Sequence, residues 1–168
     1  MKYDDEPVLK FRKSKGTRSR KKAAPLKQKI LRLMSGEKFA ILSTQGSAQP
    51  YASIIGFNFS HDLKSLCFAT PVTTRKYRLL KRCPQVALQI DNRSTCRNKL
   101  MNIESVTATG RSFELKRNSK FCIQLRALLK RHPYFKSFYS SPTCALFEVR
   151  VVRYFHVTRF QVVSQWIP

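Results

Sequence analysis

From Phe39 onward the chain is written in short apolar runs of two-residue period, each closed by a turn. FAILS, YASIIGFNF, SLCFAT, QVALQID, ESVTATGRSFEL and the long TCALFEVRVVRYFHV follow one another in this way. Alternation puts every second side chain on one face, the pattern of a strand covered on one side only. The connections QGSAQP (45–50) and NFSHDLK (58–64) are tight and turn-rich, which suits antiparallel neighbours. Strand–helix–strand alternation through the chain is missing, so a doubly wound parallel sheet is excluded. Six or seven antiparallel strands remove their edges best by closing into a barrel.

Three segments change period. PLKQKILRLM (25–34) places Leu26, Ile30, Leu33 and Met34 on one helical face, with Pro25 suited to the first turn and Ser35-Gly36 as a stop. RKYRLLKR (75–82) follows Pro71-Val72-Thr73-Thr74, with Thr73 as the expected N-cap and Cys83-Pro84 as its end. Ser119–Arg131 is a third helix, broken by His132-Pro133. Gly110, inside the fifth strand, is expected to mark a bulge. The fold class is therefore mainly β with short helices (α+β).

Charge divides the chain. The sequence holds 33 Lys+Arg against 9 Asp+Glu, a formal net charge of +24. The first 30 residues carry 11 basic and 3 acidic groups, and LKFRKSKGTRSRKKAA (9–24) has no apolar period. Residues 1–24 read as a basic flexible tail and 25–168 as one domain. A surplus of this size attracts polyanions, anionic membranes or phosphorylated ligands. Nucleic-acid binding by the tail would need only phosphate contacts, but no recognition motif accompanies the basic residues, and the basic run 10–22 holds a single aromatic, Phe11, for stacking. A solubilising arm is the favoured reading. No apolar run reaches the roughly 20 residues of a membrane span, and no secretory leader is expected. Five cysteines, none in a CxxC or Cys/His cluster, argue against zinc and against a disulfide framework. A reducing cytoplasm is the expected compartment.

The chemically richest segment is Cys67–Arg82. A strand ends at Pro71, and a helix opens behind Thr73-Thr74 with Arg75-Lys76 in its first turn. The start of a helix offers unpaired N–H groups and the positive end of its dipole. Threonine hydroxyls add donors, arginine can fork onto two phosphate oxygens, and lysine adds a compact charge. That composition suits a bound phosphate.

On these and neighbouring residues the chain resembles the flavin-binding split-barrel proteins related to pyridoxamine 5'-phosphate oxidase. Phe39-Ala40-Ile41-Leu42-Ser43-Thr44 and Gln49-Pro50-Tyr51-Ala52-Ser53 look like that family's first two strands. Phe68-Ala69-Thr70 with Thr74-Arg75-Lys76 looks like its phosphate elements, and Cys83-Pro84-Gln85-Val86 like its fourth-strand entry. Val106–Arg111 and His132–Gln161 continue the likeness, which covers everything after about residue 25. The resemblance implies a six- to seven-stranded antiparallel split β-barrel and a homodimer holding flavin mononucleotide (FMN) at the subunit interface. Arg75 and Lys76 would hold its phosphate, with Thr74 beside them; Ala69 and Thr70 would line the phosphate and ribityl end. Ser53, Ile54 and Ile55 would run along the isoalloxazine ring, and Phe160 and Gln161 would reach the second subunit's flavin. Ile54 and Ile55 are otherwise strand residues that any barrel would bury.

The resemblance implies an oxidoreductase with a nicotinamide electron donor; a non-enzymatic flavin, heme or deazaflavin binder is the alternative. Ser53 and Ser105 stand where the oxidase has Arg and Gln, and its C-terminal Arg-Leu-His is absent. The likeness thus transfers the flavin more than the vitamin B6 substrate. The histidines carry no expected chemistry: His61 in an exposed turn, His132 capping the last carbonyls of its helix, and His156 a satisfied strand residue.

Overall fold

The computed structural model describes residues 20–46, 48–96, 100–159 and 162–168. Seven strands run β1 (Phe39–Gly46), β2 (Gln49–Phe59), β3 (Ser65–Pro71), β4 (Gln85–Asp91), β5 (Glu104–Glu114), β6 (Cys144–Thr158) and β7 (Val162–Trp166). Their order is β3-β2-β1-β4-β5-β6-β7, every pairing is antiparallel, and β3 also pairs with β6. That extra pairing closes six strands into a barrel. The 15-residue β6 makes closure possible: Cys144–Arg150 pair with β3, while Tyr154–Thr158 pair with β7. The architecture is a mainly β split barrel, as the strand pattern requires.

The expected bulge is present. The β5–β6 register shifts between Thr109 and Gly110, and a Cβ on Gly110 would run into the Arg150 carbonyl, so glycine is required by close approach of the backbones. Alternating residues fill the interior: Leu42, Phe57, Leu66, Phe68, Leu88, Val106, Phe147 and Tyr154 are buried. Phe68 and Phe147 stack at 5.6 Å, and the Tyr154 hydroxyl donates to the Leu63 carbonyl at 2.8 Å. Each such side chain contributes about 1.5–3 kcal/mol on burial.

Among the described residues, four α-helices sit outside the barrel. In α1 (Arg20–Gly36) the residues Ile30, Leu33 and Met34 are buried and join the core, with Leu26 packed against it. The expected face is therefore correct, but the helix starts earlier than expected. Pro25 lies in its second turn, not its first, where its missing N–H leaves the Lys21 carbonyl without the usual helical donor. Helix α2 (Arg75–Arg82) has the expected span. Its N-cap is Thr74 and not Thr73: the Thr74 hydroxyl accepts from the Tyr77 N–H at 3.3 Å, a reach that fits a residue three positions ahead of its donor. Helix α3 (Ser119–Arg131) matches its expected bounds, with Asn118 capping the Phe121 N–H.

The sequence pattern assigns no element to residues 133–140. They form a 3₁₀ turn (Pro133–Phe135) and a short helix, α4 (Lys136–Ser140). Elements of three and five residues are too short to show a helical period, so nothing in the pattern announces them. Tyr139 of α4, with Phe121 and Leu128 of α3, covers Cys67, Ala69 and Leu146 on the outer face of β3 and β6. Among the described residues no helix is long and apolar enough to cross a membrane, and no group of His, Cys, Asp or Glu is arranged to hold a metal.

Candidate functional site

The corner between β3 and α2 is fixed by two threonines. Thr74 Oγ1 donates to the Pro71 carbonyl at 2.9 Å and lies 2.9 Å from Thr70 Oγ1, so the buried Thr70 hydroxyl donates to it. The Thr74 N–H is also held by the Pro71 carbonyl, at 3.1 Å. With Tyr77 N–H bound to Thr74 Oγ1 and Arg78 N–H to the Thr74 carbonyl, the N–H groups of Arg75 and Lys76 are the ones left open at the helix end.

The two cations are held differently. Arg75 is exposed, its guanidinium 5.1 Å from the centre of the Tyr51 ring, so β2 supplies a platform that orients it. Sequence reasoning gave Tyr51 no such part; nothing local to Tyr51 signals a partner 24 residues away. Lys76 is half-buried, and burial lowers the pKa of its ammonium from the ordinary lysine value. Among the described residues no carboxylate lies within ion-pair distance of it. A desolvated cation without a counter-ion is costly, and a bound anion would remove that cost.

Lys76 opens onto a cavity of about 380 Å³, within the usual range for small ligands. Ile54, Gly56 and Ala69 form its floor, on the outer face of β2 and β3; Phe39, Phe138 and Tyr139 stand around it. Ile54 is 72% exposed and Phe39 50% exposed. The expectation that a barrel would bury Ile54 is thus incorrect, because alternation turns Ile54 outward while Ile55 and Phe57 turn in. Gly56 is the tight point. A Cβ there would stand 2.7 Å from Tyr139 Oη and 3.3 Å from His132 Cε1. Burial pushes the Tyr139 hydroxyl up to about 12, so it stays protonated.

Of the expected residues, the structure gathers Ile54, Ile55, Ala69 and Lys76 around this cavity, with Thr70, Thr74 and Arg75 forming the adjoining corner. Ser53 does not line it. Paired with Leu42, it faces the barrel interior, and its Oγ is buried without a hydrogen-bond partner. Phe160 and Gln161 lie outside the described residues. The aromatic wall of Phe39, Phe135, Phe138 and Tyr139 was missed. Its only trace in the sequence is the density of rings in HPYFKSFY.

His132 does not cap its helix through its side chain, as expected. Its backbone N–H closes α3 on the Leu128 carbonyl, while its ring reaches across to β2, Nε2–H donating to the Phe57 carbonyl at 2.9 Å. Burial lowers its pKa, partly opposed by that hydrogen bond and reinforced by Arg131 and Lys38. His61 is exposed, and His156 is buried beside Glu104 at 3.1 Å, both as expected.

No protein-family model matches the chain, and no curated protein matches it. Solved structures do match in shape. A heme binding protein from Mycobacterium smegmatis aligns with TM-score 0.71 at 15% identity, over 80% of this chain and 55% of that one. This chain thus spans about half of that protein's length. An FAD-binding protein from Mesorhizobium loti aligns with TM-score 0.64 at 16% identity, over 77% of this chain and 90% of that one. A Clostridium acetobutylicum protein related to general stress protein 26, of the pyridoxinephosphate oxidase family, aligns with TM-score 0.67 at 12% identity, over 85% and 94%. The fold is that of the pyridoxamine 5'-phosphate oxidase-like split barrels, an architecture found in proteins described as binding flavin and in others described as binding heme.

Proposed function

We propose that the chain is an FMN-binding protein, working as a homodimer with flavin at the subunit interface and moving hydride or electrons from a nicotinamide donor to an unidentified acceptor. The observation that carries this reading is Lys76: a half-buried ammonium without a carboxylate partner, at an open helix N-terminus, facing a cavity with an apolar floor. Arg75 and the N–H groups of Arg75 and Lys76 would hold the phosphate, with Thr70 and Thr74 fixing the corner. Ile54, the Ile55 and Gly56 backbone and Ala69 would lie along the ring and ribityl chain. Bound flavin supplies the two-electron chemistry; the residues named bind it and orient it. Ile54 and Phe39, strongly exposed for apolar side chains, would be covered by the second copy. Residues 25–168 would form the flavin domain, and the basic segment before them an arm.

Heme is the competing ligand, given the mycobacterial relative. Against it, no histidine lines this cavity among the described residues. A deazaflavin would use the same corner. The deciding measurement is an absorbance spectrum after incubation with FMN and gel filtration. A retained oxidised-flavin spectrum on a dimer-sized peak is expected. Colourless protein, or a heme spectrum that FMN cannot displace, would reject the reading.

A further inference from the structure

A second cavity adjoins the first. It measures about 460 Å³ and lies on the far side of the edge contact between Phe39 and Phe135, whose ring centres are 6.1 Å apart at 71°. Both rings line both cavities. The new cavity is bounded by Lys38 and Lys130 and by the turn His132-Pro133-Tyr134. No carboxylate lines it among the described residues, and neither Lys38 nor Lys130 is in an ion pair among them. Arg131 adds positive potential, with its Nη2 donating to the carbonyls of Met34 and Glu37. Tyr134 is 97% exposed at this turn. An aromatic ring left wholly in water packs against nothing in the fold, which leaves its face free to receive another ring.

Two unpaired ammonium groups, three aromatic rings and no acid make a site for a planar aromatic group carrying phosphate. Bases stack on such rings whatever their identity, and the lysines meet phosphate as point charges. We propose that this cavity binds the adenosine-phosphate portion of a nicotinamide dinucleotide, leaving the nicotinamide end to pass Phe39 into the first cavity. The assignment of the donor rests on the flavin reading above; the nucleotide site itself does not.

The test is isothermal titration of ADP-ribose, which carries the dinucleotide's tail without the nicotinamide, into FMN-saturated full-length protein. One-to-one binding is expected. Lys130→Glu and Tyr134→Ala, both at exposed positions outside the proposed flavin corner, should each weaken it about tenfold and leave FMN retention unchanged. Absence of binding to FMN-loaded protein would overturn the proposal. So would binding that neither substitution alters, or pyrophosphate binding as tightly as ADP-ribose, which would mean that charge alone is read. If the protein does not retain FMN, the titration is run on Arg75→Ala/Lys76→Ala protein, whose phosphate corner is disabled. The flavin reading then fails by itself, and the effect of Lys130→Glu and Tyr134→Ala still decides the nucleotide site.

Discussion

Two regions border the same cavity and are built in opposite ways. The corner at Thr70–Lys76 is local: a strand end, a cap and the first turn of α2, seven residues in which every side-chain polar contact but one stays inside the segment or its own helix. The exception is Arg75, which leans on Tyr51. The wall at 132–140 is assembled from afar. His132 bonds to Phe57 at a separation of 75 residues, Arg131 ties α3 to the end of α1, and Tyr139 closes on Gly56. One region would grip charge, the other sets shape. Substitutions in the first should therefore change affinity with little change in stability, and substitutions of the packed residues of the second, His132, Phe135 and Tyr139, should change both; Tyr134, wholly exposed, is not one of them.

The largest effect belongs to the corner. Arg75→Ala with Lys76→Ala should remove FMN retention on gel filtration, since each charge-assisted phosphate contact is worth about 1.5–3 kcal/mol. The melting temperature without ligand should not fall; it should rise slightly, because the half-buried Lys76 charge is removed without breaking an ion pair. A large drop in apo stability would break the contrast between the regions. Gly56→Ala probes the wall. Its new methyl group meets the Tyr139 hydroxyl, and overpacking of this kind costs about 1–3 kcal/mol. A lower melting temperature and weaker flavin retention should appear together. Adding Tyr139→Phe, which removes the oxygen in the way, should restore most of the stability, a coupling that thermal denaturation of the four proteins measures.

The smallest effect concerns pH. His132 in the folded chain has a pKa below its value of 6.5 in a free side chain. Below pH 6.5 the unfolded chain binds the proton more readily than the folded one, so stability falls as pH drops through that value toward the folded pKa. His132→Gln keeps a donor for the Phe57 carbonyl and cannot titrate. Its melting temperature should therefore vary less than that of the parent between about pH 7 and pH 5. Parallel curves would show that the ring is not held neutral by the wall.

The legible parts share a cause. Strand positions, the bounds of α2 and α3, the Gly110 bulge and the turn from β3 into α2 all rest on neighbours close in the chain, where period and capping chemistry leave a mark in the letters. Even there the cap shifted by one residue, because Thr73 and Thr74 differ only in which hydroxyl reaches the Tyr77 N–H. Ile54 was misjudged for a different reason. Composition marks it as apolar, but whether a strand residue faces the core depends on the register with β1, where Ile41 is opposite Ile54 and Ala40 opposite Ile55. Ser53 turns inward by the same parity. The aromatic wall left almost no signal, since each of its contacts joins segments dozens of residues apart.

The amino-acid order alone thus settles that this chain makes an antiparallel barrel with a cationic helix start, because alternation and capping act between residues within a few positions of one another. The cavities themselves come from closure. Only when β3 pairs with β6 and α3 folds back over β2 do Lys76, Gly56 and the rings of 132–140 meet, and long-range burial of apolar surface, which no local pattern encodes, is the force that brings them there.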